Sequence, residues 1–228
     1  LPIENSLAGG IHRNYDLLLR YDAHIVGEHS LRVRHNLLAL PGTALEDIEE
    51  VVSHPQALSQ CEQFLAGIGA RQRPMYDTAG SAKMVREERL ENVAAIASER
   101  AAAVHELDIL ASGIEDAEEN YTRFLILSSD PETPRSARKT KTSLVFSLKD
   151  EPSVLFKALS VFALRDIDLT KIESRPLRER RWKYFFYLDI AGSIDEERVQ
   201  NALRHLEEIA TFLRVLGSYP RSDVRAQE

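Results

Sequence analysis

Apolar positions after residue 139 fall into a clean succession of periods. Leu144, Phe146 and Leu148 alternate with Val145 and Ser147, which predicts a strand. Leu155, Leu159 and Phe162 then recur at i, i+4 and i+7, one face of a helix. Lys171, Glu173 and Arg175 alternate with Ile172 and Ser174 in a second strand, read as alternating charge on a solvent-facing strand. An aromatic-rich run from Lys183 to Ile190 predicts a third, after a short link from Leu177 to Trp182. Val199, Leu203, Leu206 and Ala210 form a second helical stripe, and Phe212 to Leu216 a last strand. The order β-α-β-β-α-β is the split-βαβ, ferredoxin-like pattern.

The first half alternates short apolar runs with helical patterns. A helix is predicted to end with Tyr15 to Arg20, and strands at Ala23 to Glu28 and Asn36 to Leu40. After a Pro41-Gly42 turn, Thr43 and Glu46 have the spacing of a capping box and predict another helix. Val51-Val52-Ser53 reads as a buried strand, followed by a helix that Pro55 starts and Gly67 closes. Further elements are predicted as a helix at Thr78 to Arg89, a strand at Val93 to Ala97 and a helix at Glu99 to His105. This alternation predicts an α/β layer fold with a largely parallel sheet. The segment SSDPETPRSARK, Ser128 to Lys139, has two prolines and almost no apolar content, and reads as a linker. The expected organisation is 1–127 folded, 128–139 linker and 140–222 folded.

Composition narrows the function classes. The 228 residues are 43% hydrophobic, enough for a buried core. The net charge of −7 argues against a general nucleic-acid binder, which needs a basic face for phosphates. One cysteine, Cys61, leaves no internal disulfide and no cysteine-built zinc site; beside Phe64 and Leu65 it reads as a small core residue in a helix. No apolar stretch is long enough to span a bilayer, and no membrane role is expected. His24, His29 and His35 are the closest histidines, without strict metal spacing. Signatures of nucleotide binding, zinc proteolysis and serine hydrolysis are missing.

Four polar clusters interrupt apolar runs. Glu4-Asn5-Ser6 follows Leu1-Pro2-Ile3, and reads either as a ligand-bearing strand end or as the N-cap of a helix. Ser53-His54-Pro55-Gln56 reads as a strand-to-helix turn open to an anion, or as a plain N-cap by Ser53. Asn120-Tyr121-Thr122-Arg123-Phe124 leads into an apolar strand. Arg123 there either forks onto a carboxylate ligand or pairs with the acidic stretch Glu115 to Glu119. Glu173-Ser174-Arg175-Pro176 ends a strand.

In order and spacing, LPIENS, SHPQA, DTAGSAK, N-x-TRF and ESRP resemble the prephenate dehydratase family. The stretches IHRNYDLLLR, FKALSVFALRDIDLTKIESRP and ATFLRVLGSYP are similar to its arogenate-type branch. The resemblance runs from Leu1 to about Pro220. It implies a periplasmic-binding-protein-like catalytic region of two α/β lobes, with the active site in their cleft, followed by a ferredoxin-like ACT domain. It implies decarboxylating dehydration of prephenate to phenylpyruvate, or of arogenate to phenylalanine, with no metal or organic cofactor. By the motifs, Thr122 assists departure of the ring hydroxyl, Asn5 and Gln56 hydrogen-bond the substrate or leaving group, and Ser6, Thr78 and Ser81 line the cleft. Arg123 either meets the dianionic substrate or holds the Thr122 loop. Relatives bind phenylalanine at an ACT interface, which implies effector contacts at Ser153, Val154, Leu155, Glu173, Ser174, Arg175 and Pro176. Where this chain has Ser153, relatives usually carry glycine. A homodimer or homotetramer is implied, with the aromatics Tyr184 to Tyr187 either at that interface or in the core. The expected compartment is the cytoplasm for a bacterial protein and the plastid for a plant one.

Relatives carry a further segment ahead of LPIENS, and Leu1 in place of Met points to a start that is not the natural one. The first lobe is therefore expected to be truncated, with apolar surface and a sheet edge uncovered and weak or no activity. A non-catalytic ACT-based amino-acid sensor is the alternative from another class. A solute-binding transport protein rests on fold analogy alone.

Overall fold

The computed structural model describes residues 1–130, 139–176 and 184–222. The middle of the expected linker, the link from Leu177 to Trp182 and the expected first residue of the third ACT strand, Lys183, lie outside the described residues. The chain forms two compact units, Arg32–Tyr121 and the combination of Leu1–Leu31 with Thr122–Glu228. The units are therefore not the two halves of the sequence: the first is an insertion within the second.

In chain order the elements begin with β1 (Pro2–Asn5), β2 (Gly9–Gly10), α1 (His12–Arg20) and β3 (His24–Arg32). The inserted unit adds β4 (Asn36–Ala39), β5 (Glu50–Ser53), α2 (Pro55–Ser59), α3 (Glu62–Ile68) and β6 (Arg71–Pro74). It continues with α4 (Thr78–Glu87), β7 (Val93–Ala97), α5 (Glu99–His105) and β8 (Asp108–Ser112). The chain then returns through β9 (Tyr121–Ser128) and completes β10 (Thr140–Leu148), α6 (Val154–Ala163), β11 (Leu169–Pro176), β12 (Tyr184–Ala191), α7 (Glu197–Ile209) and β13 (Ala210–Pro220).

The inserted unit holds a five-stranded sheet in the order β6-β5-β7-β4-β8. It is mixed, which corrects the largely parallel sheet expected from the sequence. β5 runs parallel to β6 and β7, but β4 runs antiparallel to both β7 and β8. The edge strand β6, RQRP, has no apolar period to announce it. It is held by its parallel ladder to β5, beside which Arg71 and Arg73 pair with Glu50 at 3.0 and 3.1 Å. The helix expected from Thr43 is only a 3-10 turn at Leu45–Asp47 without a side-chain cap. The expected long helix from Pro55 breaks at Gln60 and Cys61. Gly69, at φ 67°, closes its second part instead of Gly67. Leu37, Val51, Cys61, Leu65 and Ile96 fill one face of the sheet, and Leu38, Val52, Val85 and Ala95 the other.

The second unit pairs two four-stranded sheets, β2-β1-β9-β3 and β11-β12-β10-β13. The latter, with α6 and α7, is the βαββαβ fold read from the sequence. Period-2 alternation explains its two cores. Leu144, Phe146, Leu188 and Ile190 face Val161 and Phe162 of α6 and Val199 and Leu206 of α7. Val145 and Tyr187 face the other way, joining Leu216 and Tyr219 against Ile3, Ile25, Leu125 and the α1 residues Tyr15 and Leu18. Each large side chain so buried contributes roughly 1.5–3 kcal/mol. Of the aromatics Tyr184 to Tyr187, Tyr187 is buried in a core, Phe185 and Phe186 pack partly buried against the two cores, and Tyr184 remains 39% exposed. β1 lies inside its sheet, between β2 and β9, and its Ile3 is buried.

Gly217 sets the approach of β13 to β3. A Cβ placed there lies 2.0 Å from the Ile25 carbonyl oxygen, a backbone atom that no rotamer change can clear. Gly217→Ala is expected to destabilise the fold by about 3 kcal/mol, lowering Tm by roughly 6–12 °C in calorimetry. A change within 1 °C would show that the sheets can part there.

Candidate active site

The antiparallel register of β1 and β9 sets Asn5 opposite Thr122 and Glu4 opposite Arg123. Because strand side chains alternate, Asn5 and Thr122 share one face and Glu4 and Arg123 the other. Asn5 Nδ2 donates to Thr122 Oγ1 at 3.2 Å. Asn5 Oδ1 accepts from the backbone N–H of Leu7 and Ala8 at 3.1 and 3.0 Å, which fixes the flip of the amide. Asn5 thus caps the β1–β2 turn, not a helix, and Ser6 lies exposed in that turn. A threonine hydroxyl that accepts from Asn5 keeps its own proton to donate. The pair is a built hydrogen-bond donor on a half-buried strand.

Arg123 corrects one expectation. It pairs with Glu4, Glu28 and Asp189 at 2.6, 3.0 and 2.8 Å, not with Glu115 to Glu119. Burial alone would lower the guanidinium pKa, but Asp189 above all, with Glu28, holds it above its ordinary value. Of the two roles expected for Arg123, the geometry favours holding the Thr122 strand.

The other expected site residues lie in the inserted unit. β5 and β6 are parallel with Ser53 opposite Pro74, so the turns after them lie side by side at the carboxyl ends of their strands. Gln56 stands exposed in the first turn of α2, and Thr78 half-buried at the start of α4. Ser53 is not the N-cap: it is fully buried and donates to Ile96 O at 2.7 Å. His54 takes that role, its Nδ1 accepting from Gln56 N at 3.1 Å. Asp77, which the sequence reading passed over, caps α4 through Gly80 N. Ser81 is buried, and its hydroxyl donates to Asp77 O at 2.7 Å, so it braces the α4 turn.

Asn120 of the N-x-TRF motif is buried too. Its Nδ2 and His35 Nε2 both contact Gln60 Oε1, at 3.1 and 2.9 Å. An amide oxygen only accepts, so His35 carries its proton on Nε2. Cys61 occupies the N-cap position of α3, fully buried. Desolvation, with Asp116 and Glu115 nearby, pushes its thiol up to about 12, which leaves it inert. Among the described residues no group of three or more His, Cys, Asp or Glu could hold a metal, and no helix is long and apolar enough to cross a membrane.

In the four-stranded C-terminal domain, Ser153 precedes α6 at φ 61° and ψ 10°, a left-handed conformation that glycine adopts freely. Val154 and Leu155 form the first turn of that helix. β11 reverses the solvent-facing expectation. Ser174, Pro176 and Ile172 face out, whereas Lys171, Glu173 and Arg175 face in. Glu173 meets His12 at 3.1 Å and Arg175 meets Asp16 at 3.3 Å.

The chain matches the family model for prephenate dehydratase over residues 1–132 and that for the ACT domain over residues 142–208. It is 57% identical to arogenate dehydratase/prephenate dehydratase 2, chloroplastic, of Arabidopsis thaliana, over 96% of this chain and 60% of that protein. Its fold overlays on prephenate dehydratase from Arthrobacter aurescens, solved in complex with L-Phe, at a TM-score of 0.87 and 33% identity, covering 97% of this chain and 74% of that one. It also overlays on GqqA, described as a novel type of quorum quenching acylase, at a TM-score of 0.88 and 36% identity, covering 99% and 82%. The chain belongs to the prephenate dehydratase family: an α/β region with mixed sheets is followed by a four-stranded ACT domain. It spans about 60% of the length of the curated relatives it matches.

Ser153 stores strain that a glycine would not. Left-handed backbone costs a residue with a Cβ roughly 1–2 kcal/mol, and the freedom glycine gains when unfolded offsets part of that. Ser153→Gly is expected to raise Tm by about 1–2 °C; a fall would mean that the serine side chain contributes more than its backbone costs.

Proposed function

We propose that the protein is a dehydratase that converts prephenate to phenylpyruvate, or arogenate to phenylalanine, with loss of water and carbon dioxide. The observation that carries this reading is the Asn5–Thr122 pair, in which the Thr122 oxygen accepts from Asn5 and its own proton is left to donate. The chemistry needs little more than positioning and a donor. The ring C–O bond breaks as Thr122 shares its proton with the departing hydroxyl, which leaves as water. The ring carboxylate leaves as carbon dioxide, and its bonding electron pair completes the aromatic ring. Threonine is restored by a proton from solvent. Within the inserted unit, Gln56 and Thr78 stand at neighbouring strand ends as polar groups open to a ligand, and in the other unit Ser6 follows Asn5 in the turn beside the donor pair. Arg123 holds the donor strand.

The ACT domain takes L-phenylalanine as effector at the Ser153–Leu155 turn and the outward side of the ESRP strand, and the protein assembles as a homodimer or homotetramer through ACT pairing. The exposed side chains of Phe156, Leu164 and Ile172 on this domain support an apolar contact surface. The compartment follows the source. It is the plastid in a plant, in keeping with the chloroplastic relatives, and the cytoplasm in a bacterium.

Turnover of prephenate and arogenate in parallel tests the reading, with phenylalanine added to each. Thr122→Ala is expected to lower kcat by about 100-fold or more, while Thr122→Ser, which keeps the hydroxyl, retains most of it. Asn5→Asp keeps an acceptor for Leu7 and Ala8 but replaces the donor to Thr122 with an oxygen. The Thr122 proton then turns toward that carboxylate, so kcat is expected to fall with little change in Tm. Full activity in Thr122→Ala would remove the donor role, and no turnover of either substrate by the unaltered protein would remove the enzyme.

A further inference from the structure

Six charged side chains lie on the face opposite to Asn5 and Thr122. Glu4, Glu28 and Arg123 come from β1, β3 and β9 of one sheet. Lys141, Lys171 and Asp189 come from β10, β11 and β12 of the other. The first set carries −1 and the second +1, so the cluster is neutral only when the two sheets meet. Three contacts cross: Arg123 to Asp189 at 2.8 Å, Lys141 to Glu28 at 2.8 Å, and Lys171 to Glu4. The side chains of Glu28 and Lys141 are 2% and 8% exposed, so a partner removed from them leaves a charge that water does not compensate. Asp189 is itself oriented, since Ser143 Oγ donates to its Oδ1 at 2.6 Å.

The backbone shows why this reaches the donor pair. The β1–β9 register is irregular between Pro2 and Glu4 and is regular again only at the pairs Glu4–Arg123 and Asn5–Thr122. A bulge re-aims the side chains that follow it, and a one-residue slip in register would turn Asn5 to the opposite face. The first side-chain contact after the irregularity is the Arg123–Glu4 ion pair, at 2.6 Å. We propose that this cluster is a positioning device: Arg123, held by Asp189, locks the register that aligns Asn5 with Thr122, and so makes the donor pair depend on the seating of the ACT sheet. Asp189 and Arg123 are then positioning residues, acting through Thr122 rather than on the substrate. The activity arm of the test rests on the dehydratase reading; the second arm does not.

Asp189→Asn removes the charge and keeps the shape. In the dehydratase assay it is expected to lower kcat about tenfold with KM within twofold. Arg123→Lys is expected to do the same, and the double variant to lose no more than either alone, as for two residues on one path. Asp22→Asn, which removes the partner of Arg214 in an exposed ion pair of the same unit, leaves kcat unchanged. Amide hydrogen exchange on the same variants needs no turnover. In Asp189→Asn, peptides covering 2–10 and 121–128 are expected to exchange at least tenfold faster, with those covering 50–53 and 93–97 unchanged. Should that variant not fold, Ser143→Ala, which frees Asp189 and also takes a partner from the buried Tyr219 hydroxyl, is read in the same way. Unchanged exchange in β1 and β9, or additive losses of kcat, would overturn the proposal. Faster exchange together with an unaltered protein that turns over neither substrate would sustain the positioning device and sink the dehydratase reading.

Discussion

Arg123 sits at the point where three carboxylates from three strands converge, and much of the larger unit is arranged around that meeting. Bringing ionised side chains out of water costs several kcal/mol each, and only close mutual pairing offsets it. The two sheets satisfy that demand jointly, since neither alone has the charges to do so. The apolar contacts of Ile3, Ile25, Val145 and Tyr187 around the cluster supply the net stabilisation. The ion pairs supply selectivity, because apolar surfaces tolerate sliding and a buried guanidinium between fixed carboxylates does not. Sheet spacing has a separate constraint, the backbone contact of Gly217 with Ile25.

The sequence disclosed the ACT domain almost whole, because each of its elements carries its own period. The inserted unit was harder to read. β6 is exposed and polar, and it is held as a strand by its parallel ladder to β5, beside which Glu50 receives two arginines. The direction of β4 depends on its partners, and a strand sequence does not encode direction. Thr43 and Glu46 had the spacing of a capping box, yet the segment is too short and too exposed to nucleate a full helix. Ser53 looked like a cap for the same local reason, and topology instead buried it beneath Ile96.

The site shows the same division. Asn5, Gln56, Thr78 and Thr122 were visible as polar interruptions of apolar runs, and a family resemblance gave them roles. Their geometry was not visible, since Asn5 and Thr122 are 117 positions apart and meet only through strand register. Glu28, Lys141 and Asp189 went unnoticed. A charged residue in an apolar strand looks like a solvent-facing position until the strand on the far side is known, and only the second sheet shows that these three point into the protein.

The inserted unit begins and ends at neighbouring points, where the Val33 N–H donates to the Asn120 carbonyl at 2.7 Å. All of its strands and helices lie between residues 32 and 121. During synthesis it therefore leaves the ribosome complete while β1, α1 and β3 still wait for β9 to β13. Until those later strands arrive, Glu4 and Glu28 are bare carboxylates on a nascent chain with no counter-charge from the second sheet. The order of translation thus gives the larger unit a long unpaired interval, in which water rather than the second sheet solvates the carboxylates of its opening strands.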